Sequence, residues 1–142
     1  MRRTAFSLAA IVVLFGGWFA ATSLVRSHVD GLIQSSVGKP LPGFALRDTV
    51  GREWNADALR GKRVVLHFFR SRCHSCDREA PEIRALEKAL APDVELLHVM
   101  TDRVLDFPPD LTVETIAAKA FTRPILLADA AFVDAFHHVD WS

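Results

Sequence analysis

Two cysteines, Cys73 and Cys76, are the only ones in the chain, and they are separated by His74 and Ser75. An apolar run, Val64-Val65-Leu66-His67-Phe68-Phe69, precedes them, and a helical pattern containing Pro81 follows. At this spacing on the first turn of a helix the two sulfurs come close enough to form a small-ring disulfide. The helix end also offers unpaired N–H groups and the positive pole of its dipole, which stabilise a thiolate at the first cysteine. A strand, a C-x-x-C and a helix in succession form a redox pattern. A structural zinc site wants four ligands and usually a second cysteine pair, which this chain lacks.

The pattern around this junction predicts an α/β domain. Phe44 to Arg47 and Arg52 to Trp54 read as two short strands joined by a turn with Gly51. Asp57 to Arg60 reads as one helical turn. Val64 to Phe69 reads as a strand covered on both faces. Ile83, Leu86 and Leu90 recur at helical spacing, which places Glu79, Glu82, Arg84, Glu87 and Lys88 outward. Pro81 removes a donor within that helix and should bend it. Val94 to Met100 is the next buried strand, so strand, helix and strand form a right-handed parallel unit. Phe107-Pro108-Pro109-Asp110 reads as a loop, with a helix from Thr112 through Phe121, a strand at Ile125 to Leu127, and a last helical stretch carrying Phe132, Val133 and Phe136.

The amino-terminal end is of another kind. Met1-Arg2-Arg3-Thr4 precedes an uncharged run from Ala5 to Val25, which Arg26 ends. As a helix the run is about 31 Å long at ~1.5 Å per residue, close to the ~30 Å hydrocarbon core of a bilayer. Arginines before it place the amino terminus in the cytoplasm and the domain outside, and Trp18 and Phe19 suit the outer interface. A cleaved signal peptide is the competing reading, with Ala21-Thr22-Ser23 as a small-residue site. The sequence divides into this anchor or signal (1–26), a tether (27–38) and a domain (39–142). Lys+Arg and Asp+Glu balance at 17 each, and no basic face of the kind that nucleic acid demands is visible.

With the cysteines placed, Gly38-Lys39-Pro40-Leu41-Pro42-Gly43-Phe44-Ala45-Leu46, then Gly51, Leu59, Gly61-Lys62 and Pro81 five residues after Cys76, resemble the redoxin branch of the thioredoxin superfamily. The anchored arrangement is similar to the TlpA/ResA-type thiol-disulfide oxidoreductases, including those serving cytochrome c maturation. The resemblance covers roughly residues 38 to 142. It implies a thioredoxin-like fold, no cofactor, protein dithiol or disulfide substrates, and a membrane electron donor if the protein is a reductase. Departures from the family are specific. Arg72 stands where tryptophan is usual, His-Ser is the intervening pair, and His67 stands where thioredoxins carry a buried acid. The chain stops at Ser142, where the family's cis-proline loop, two antiparallel strands and closing helix should begin. The expectation is an incomplete chain whose Val64–Phe69 strand would otherwise show an apolar edge.

The resemblance assigns thiol–disulfide exchange to Cys73 as the attacking sulfur and Cys76 as the resolving one. Arg70, Arg72 and His74 put positive charge beside Cys73, and Arg72 is also placed to meet a substrate. His67 either exchanges the proton of Cys76 through water or is a neutral core residue. His137 and His138 read as surface residues. Two alternatives stay open. A copper-binding module would use Cys73 and Cys76 with His74, His67 or His137. A peroxidase of the peroxiredoxin kind would want Thr or Ser where Arg70 stands.

Overall fold

The computed structural model describes residues 16–25, 27, 31 and 37–136. The chain divides into two units, Met1–Pro40 and Leu41–Ser142. In the first, residues 16–25 are helical, with Trp18 and Phe19 exposed. Among the described residues no helix is long and apolar enough to cross a membrane. The first part of the Ala5–Val25 run, and His137 and His138, lie outside the described residues.

The second unit opens with a hairpin, β1 (Ala45–Arg47) and β2 (Glu53–Asn55), paired antiparallel with Leu46 opposite Trp54. Its turn is set by Asp48, whose carboxylate accepts from the N–H groups of Val50 and Arg52 and from the Trp54 indole at 2.9 Å. Gly51 takes φ +85° there, a conformation that a Cβ would disfavour. One 3-10 turn, Asp57–Leu59, buries Leu59. Then follow β3 (Arg63–Phe69), α1 (His74–Ala89) and β4 (Val94–Met100), with β3 and β4 parallel. After α2 (Pro109–Lys119) comes β5 (Ile125–Leu127), parallel to β4, and α3 (Ala130–Ala135), capped by the Asp129 carboxylate on the Phe132 N–H at 2.9 Å.

Sheet order is β3-β4-β5, so β4 is central. Leu96 through Met100 are accordingly buried on both faces. The hairpin joins the β5 edge through an Asp48–Leu126 bridge and the Thr49 N–H on the Ile125 carbonyl at 3.0 Å. Side-chain alternation splits the core in two. Leu97, Val99 and Leu126 pack with Leu46, Trp54, Phe132 and Val133 on one face. Phe69, Met100 and Ile125 pack with Cys73 and Cys76 on the other.

Three readings of the sequence are corrected. β3 is not covered on both faces: Val65 is 37% exposed, and among the described residues no strand pairs with its second edge, the free edge that the sequence led one to expect. The helix expected from Thr112 starts three residues earlier, because Pro109 at its first turn supplies a helical φ and needs no N–H partner. It also ends at Lys119, where Ala120 turns left-handed at φ 50°. Glu87 does not face outward. The inward stripe of α1 is Cys76, Ala80, Ile83 and Glu87, while Leu86 is 38% exposed. Pro81 sits inside α1, which continues through it to Ala89.

Candidate active site at the Cys73–Cys76 disulfide

Cys73 is the N-cap of α1, with extended φ/ψ of −109° and 99°, and its sulfur accepts the Cys76 N–H at 3.2 Å. The sulfur thus occupies the place that a serine or aspartate oxygen usually takes at a helix start. The two cysteines form a disulfide with a Cα–Cα separation of 5.2 Å, as their spacing predicted. Both are nearly buried, at 5% and 8% exposure. Ser75 Oγ lies 3.3 Å from Cys73 Sγ, a neighbour that the sequence reading did not single out.

The loop that delivers Cys73 is held from below. Buried Ser71 donates its backbone N–H to Asp102 Oδ1 at 2.7 Å and its hydroxyl to Asp102 Oδ2. Thr112 Oγ1 donates to the same carboxylate at 2.8 Å, and the Thr115 hydroxyl is 2.6 Å from Ser71 Oγ. Because the Ser71 proton goes to Asp102, the Thr115 hydroxyl is the donor in that last pair. Between these anchors and Cys73, Arg72 turns through φ 53°. Its guanidinium carbon lies 5.7 Å from the Phe107 ring centroid, so Arg72 is exposed beside the disulfide and rests on an aromatic face. Arg70 donates to the Ser71 carbonyl at 3.2 Å. His74 opens α1 and is exposed.

His67 lies on the same sheet face as Phe69, one pleat below the cluster that holds the disulfide. Its Nδ1 is 2.9 Å from Nδ1 of His98, its partner across the β3–β4 ladder. His98 Nε2 lies 2.9 Å from Glu87 Oε1. The ring of Phe121 ties this pair to the cluster: its centroid is 4.2 Å from His98, 5.5 Å from His67 and 5.4 Å from Phe69. Burial holds His67 down to about 4, with the neighbouring His98 and the Lys119 ammonium acting in the same direction and Glu87 against it. Burial also lowers His98, although Glu87 opposes it. Burial pushes Glu87 up, but hydrogen bonds from His98, Arg123 and Thr122 outweigh it and keep the carboxyl below its ordinary range. Sequence patterning missed His98 and Glu87. A histidine in the most apolar strand and a glutamate at the i+11 position from Cys76, on the same helix face, were the available signals.

Lys119 is the other group the sequence left unmarked. Its side chain is 4% exposed and its ammonium binds Asp77 Oδ1 at 2.6 Å, one residue after Cys76. That bond is the first cause of the lowered Asp77 carboxyl. The structure therefore brings Cys73, Cys76, Arg72 and His74 to one helix end and sets His67 behind them. It does not gather them as metal ligands: among the described residues no group of three His, Cys, Asp or Glu side chains is placed to hold an ion.

Comparison with known proteins agrees with this geometry. The thiol-disulfide oxidoreductase ResA of Geobacillus thermodenitrificans is 35% identical over 94 residues, which are 65% of this chain and 51% of ResA. The chain thus spans about half the length of the curated relatives it matches. StoA from Bacillus subtilis aligns with a TM-score of 0.57 at 25% identity, covering 71% of this chain and 76% of StoA. The thioredoxin domain of a thiol-disulfide oxidoreductase from Bacteroides vulgatus aligns at 0.60 with 18% identity, covering 70% and 72%, which supports the thioredoxin-like fold. Residues 37–135 match the AhpC/TSA family from the hairpin to the last helix, and the chain belongs to that family.

Proposed function

We propose that this chain is a thiol-disulfide oxidoreductase that exchanges disulfides with protein partners through Cys73 and Cys76. The observation that carries this reading is the disulfide itself, closed at the N-terminus of α1 with Cys73 Sγ on the Cys76 N–H. In the reducing direction the Cys73 thiolate attacks a partner disulfide, forming a mixed disulfide and releasing one partner thiolate. Cys76 then attacks Cys73 Sγ, closes the ring and releases the second, so two electrons pass to the partner. The N–H that now contacts Cys73 Sγ would stabilise its thiolate, as would the helix dipole. His74, Arg72 and Arg70 add positive charge at that end, and exposed Arg72 is placed to meet the substrate chain. The 35% identity to a protein named thiol-disulfide oxidoreductase supports this class of reaction.

The Arg2-Arg3 flank and the Ala5–Val25 run support an export segment, so the reading includes a domain on the extracytoplasmic side of a membrane, anchored by that segment and supplied by a membrane electron donor. The test is the reduction potential of the pair in the full chain, equilibrated against glutathione or dithiothreitol. A value near ~ −270 mV fits a reductase and one near ~ −120 mV an oxidase. Failure of the reduced cysteines to re-form an intramolecular disulfide overturns the exchange mechanism.

A further inference from the structure

Arg72 and Phe107 are set against each other by the same buried residue. The Asp102 carboxylate takes the N–H and the hydroxyl of Ser71, which fixes the backbone one residue before Arg72. Its carbonyl takes the Leu105 N–H at 3.1 Å and the Phe107 N–H at 3.0 Å, which folds the loop after β4 back on itself. Arg72 and Asp106 then both pass through left-handed backbone, at φ 53° and 54°. For a side chain as large as arginine that conformation is uncommon and costly, and it persists only where the surroundings dictate it. Here they dictate the place of one guanidinium.

The contact with Phe107, at 5.7 Å from the guanidinium carbon to the ring centroid, engages the π face and the delocalised charge. It uses none of the N–H donors. Among the described residues no carboxylate lies within ion-pair reach of Arg72, although Asp106 precedes Phe107 in the chain. A planar fork held in place with its donors unspent is suited to a carboxylate, which it grips at both oxygens. The neighbouring charges leave the sign of the rim positive. His74, Arg78 and Arg103 are exposed with Arg72, against exposed Asp106 and Asp110, and Asp77 is taken by Lys119. Cys73 itself is 5% exposed, so a partner sulfur reaches it only by laying its flanking residues on this rim.

We propose that Arg72, held on Phe107, selects partner disulfides that carry an aspartate or glutamate beside the reacting cysteine. This rests on the exchange reading above and names the class of partner. The partner's carboxylate takes the guanidinium N–H groups while the Cys73 thiolate meets the partner's sulfur. Phe107 and Asp102 are the positioning residues, which keep the fork at the rim before a partner arrives.

The positive charge of Arg72 also favours the Cys73 thiolate, so its removal changes the rate toward every disulfide. A ratio between two disulfides that differ only in charge cancels that effect. The reduced full chain is mixed with one of two disulfide-cyclised peptides, identical except for glutamate or glutamine beside one cysteine, and loss of the peptide disulfide is timed. Each rate is divided by that of dithiothreitol with the same peptide, which removes the peptide's own reactivity. Wild type should prefer the glutamate peptide by about fivefold at low ionic strength. Salt at ~0.5 M should shrink the preference. Arg72→Ala should bring the ratio to about one. Arg72→Gly, which suits the left-handed backbone, should do the same in a variant relieved of strain. Phe107→Leu, with the charge retained but its platform gone, should give an intermediate ratio. A wild-type ratio near one, or a preference that survives Arg72→Ala and Arg72→Gly, overturns the selection. A preference untouched by Phe107→Leu overturns the part given to the aromatic ring. Reduction of neither peptide by wild type fails the exchange reading and the selection with it, whereas reduction of both without preference fails the selection alone.

Discussion

Ser71 gives Asp102 both of its protons, the backbone N–H to Oδ1 at 2.7 Å and the hydroxyl to Oδ2, with both residues fully buried. The pair fixes the end of β3 to the start of the loop after β4, two residues before Cys73. This is the link that turns a parallel βαβ unit into a defined place for a sulfur.

Removing the carboxylate leaves the buried Ser71 N–H unpaired, which costs roughly 1–3 kcal/mol, and also strands the Ser71 and Thr112 hydroxyls. Asp102→Ala should therefore lower stability by about 3 kcal/mol in urea unfolding. Asp102→Asn should lose less, because the amide oxygen can still accept from the Ser71 N–H while both hydroxyls rotate to accept from its NH₂. Equal losses in the two variants would mean that packing, not this bonding, holds the loop.

Acid should destabilise the domain through its buried histidines. His67 and His98 are both held below the ordinary 6.5, His67 to about 4. Between those values the unfolded chain binds more protons than the folded one, so stability is full above pH 6.5 and falls as pH drops toward 4. For His67 the loss is on the order of 3 kcal/mol. His67→Asn should flatten that limb in urea titrations run from pH 7.5 to 4.5. An unchanged slope would assign the loss to carboxylates instead.

How much of this was legible beforehand follows the range of the interactions. The C-x-x-C, the strands around it and the parallel crossover are local or nearly local patterns, and they were read with ends displaced by at most one residue. The inward turn of Glu87 was not legible, because its reason is a histidine on β4 and two backbone donors beyond α2. Helical periodicity favoured Leu86 as the inward residue, since it ranks burial by side-chain polarity. Lys119 was missed for the same reason: its partner, Asp77, lies on another helix. The free edge of β3 was anticipated, because that inference needed only the order of strands.

Ala120 offers a stability test with no chemistry attached. It closes α2 at φ 50°, a conformation that costs a residue with a Cβ roughly 1–2 kcal/mol and glycine almost nothing. Glycine loses more chain entropy on folding, by roughly 0.5–1 kcal/mol. The conformational term is the larger, so Ala120→Gly should raise stability by about 0.5–1 kcal/mol at this exposed position. A loss would show that α2 does not end in the left-handed turn.

Lys119 bears on the site through His67. Its ammonium is buried, bonded to the mostly exposed Asp77, and it lowers both the Asp77 carboxyl and the His67 imidazole. Lys119→Met keeps the length and apolar stem of the side chain and removes the charge. Asp77, being at the surface, can turn to water, so the stability change should stay within about 1 kcal/mol. The electrostatic change is directional. Without the ammonium the protonated imidazole is less disfavoured, and the His67 midpoint should move up from about 4, while the Asp77 carboxyl also rises. Histidine proton shifts followed against pH in the variant and in wild type measure this directly. A His67 midpoint that stays put or falls would mean that burial and His98 alone depress it, and that Lys119 serves only to fasten α2 to the first turn of α1.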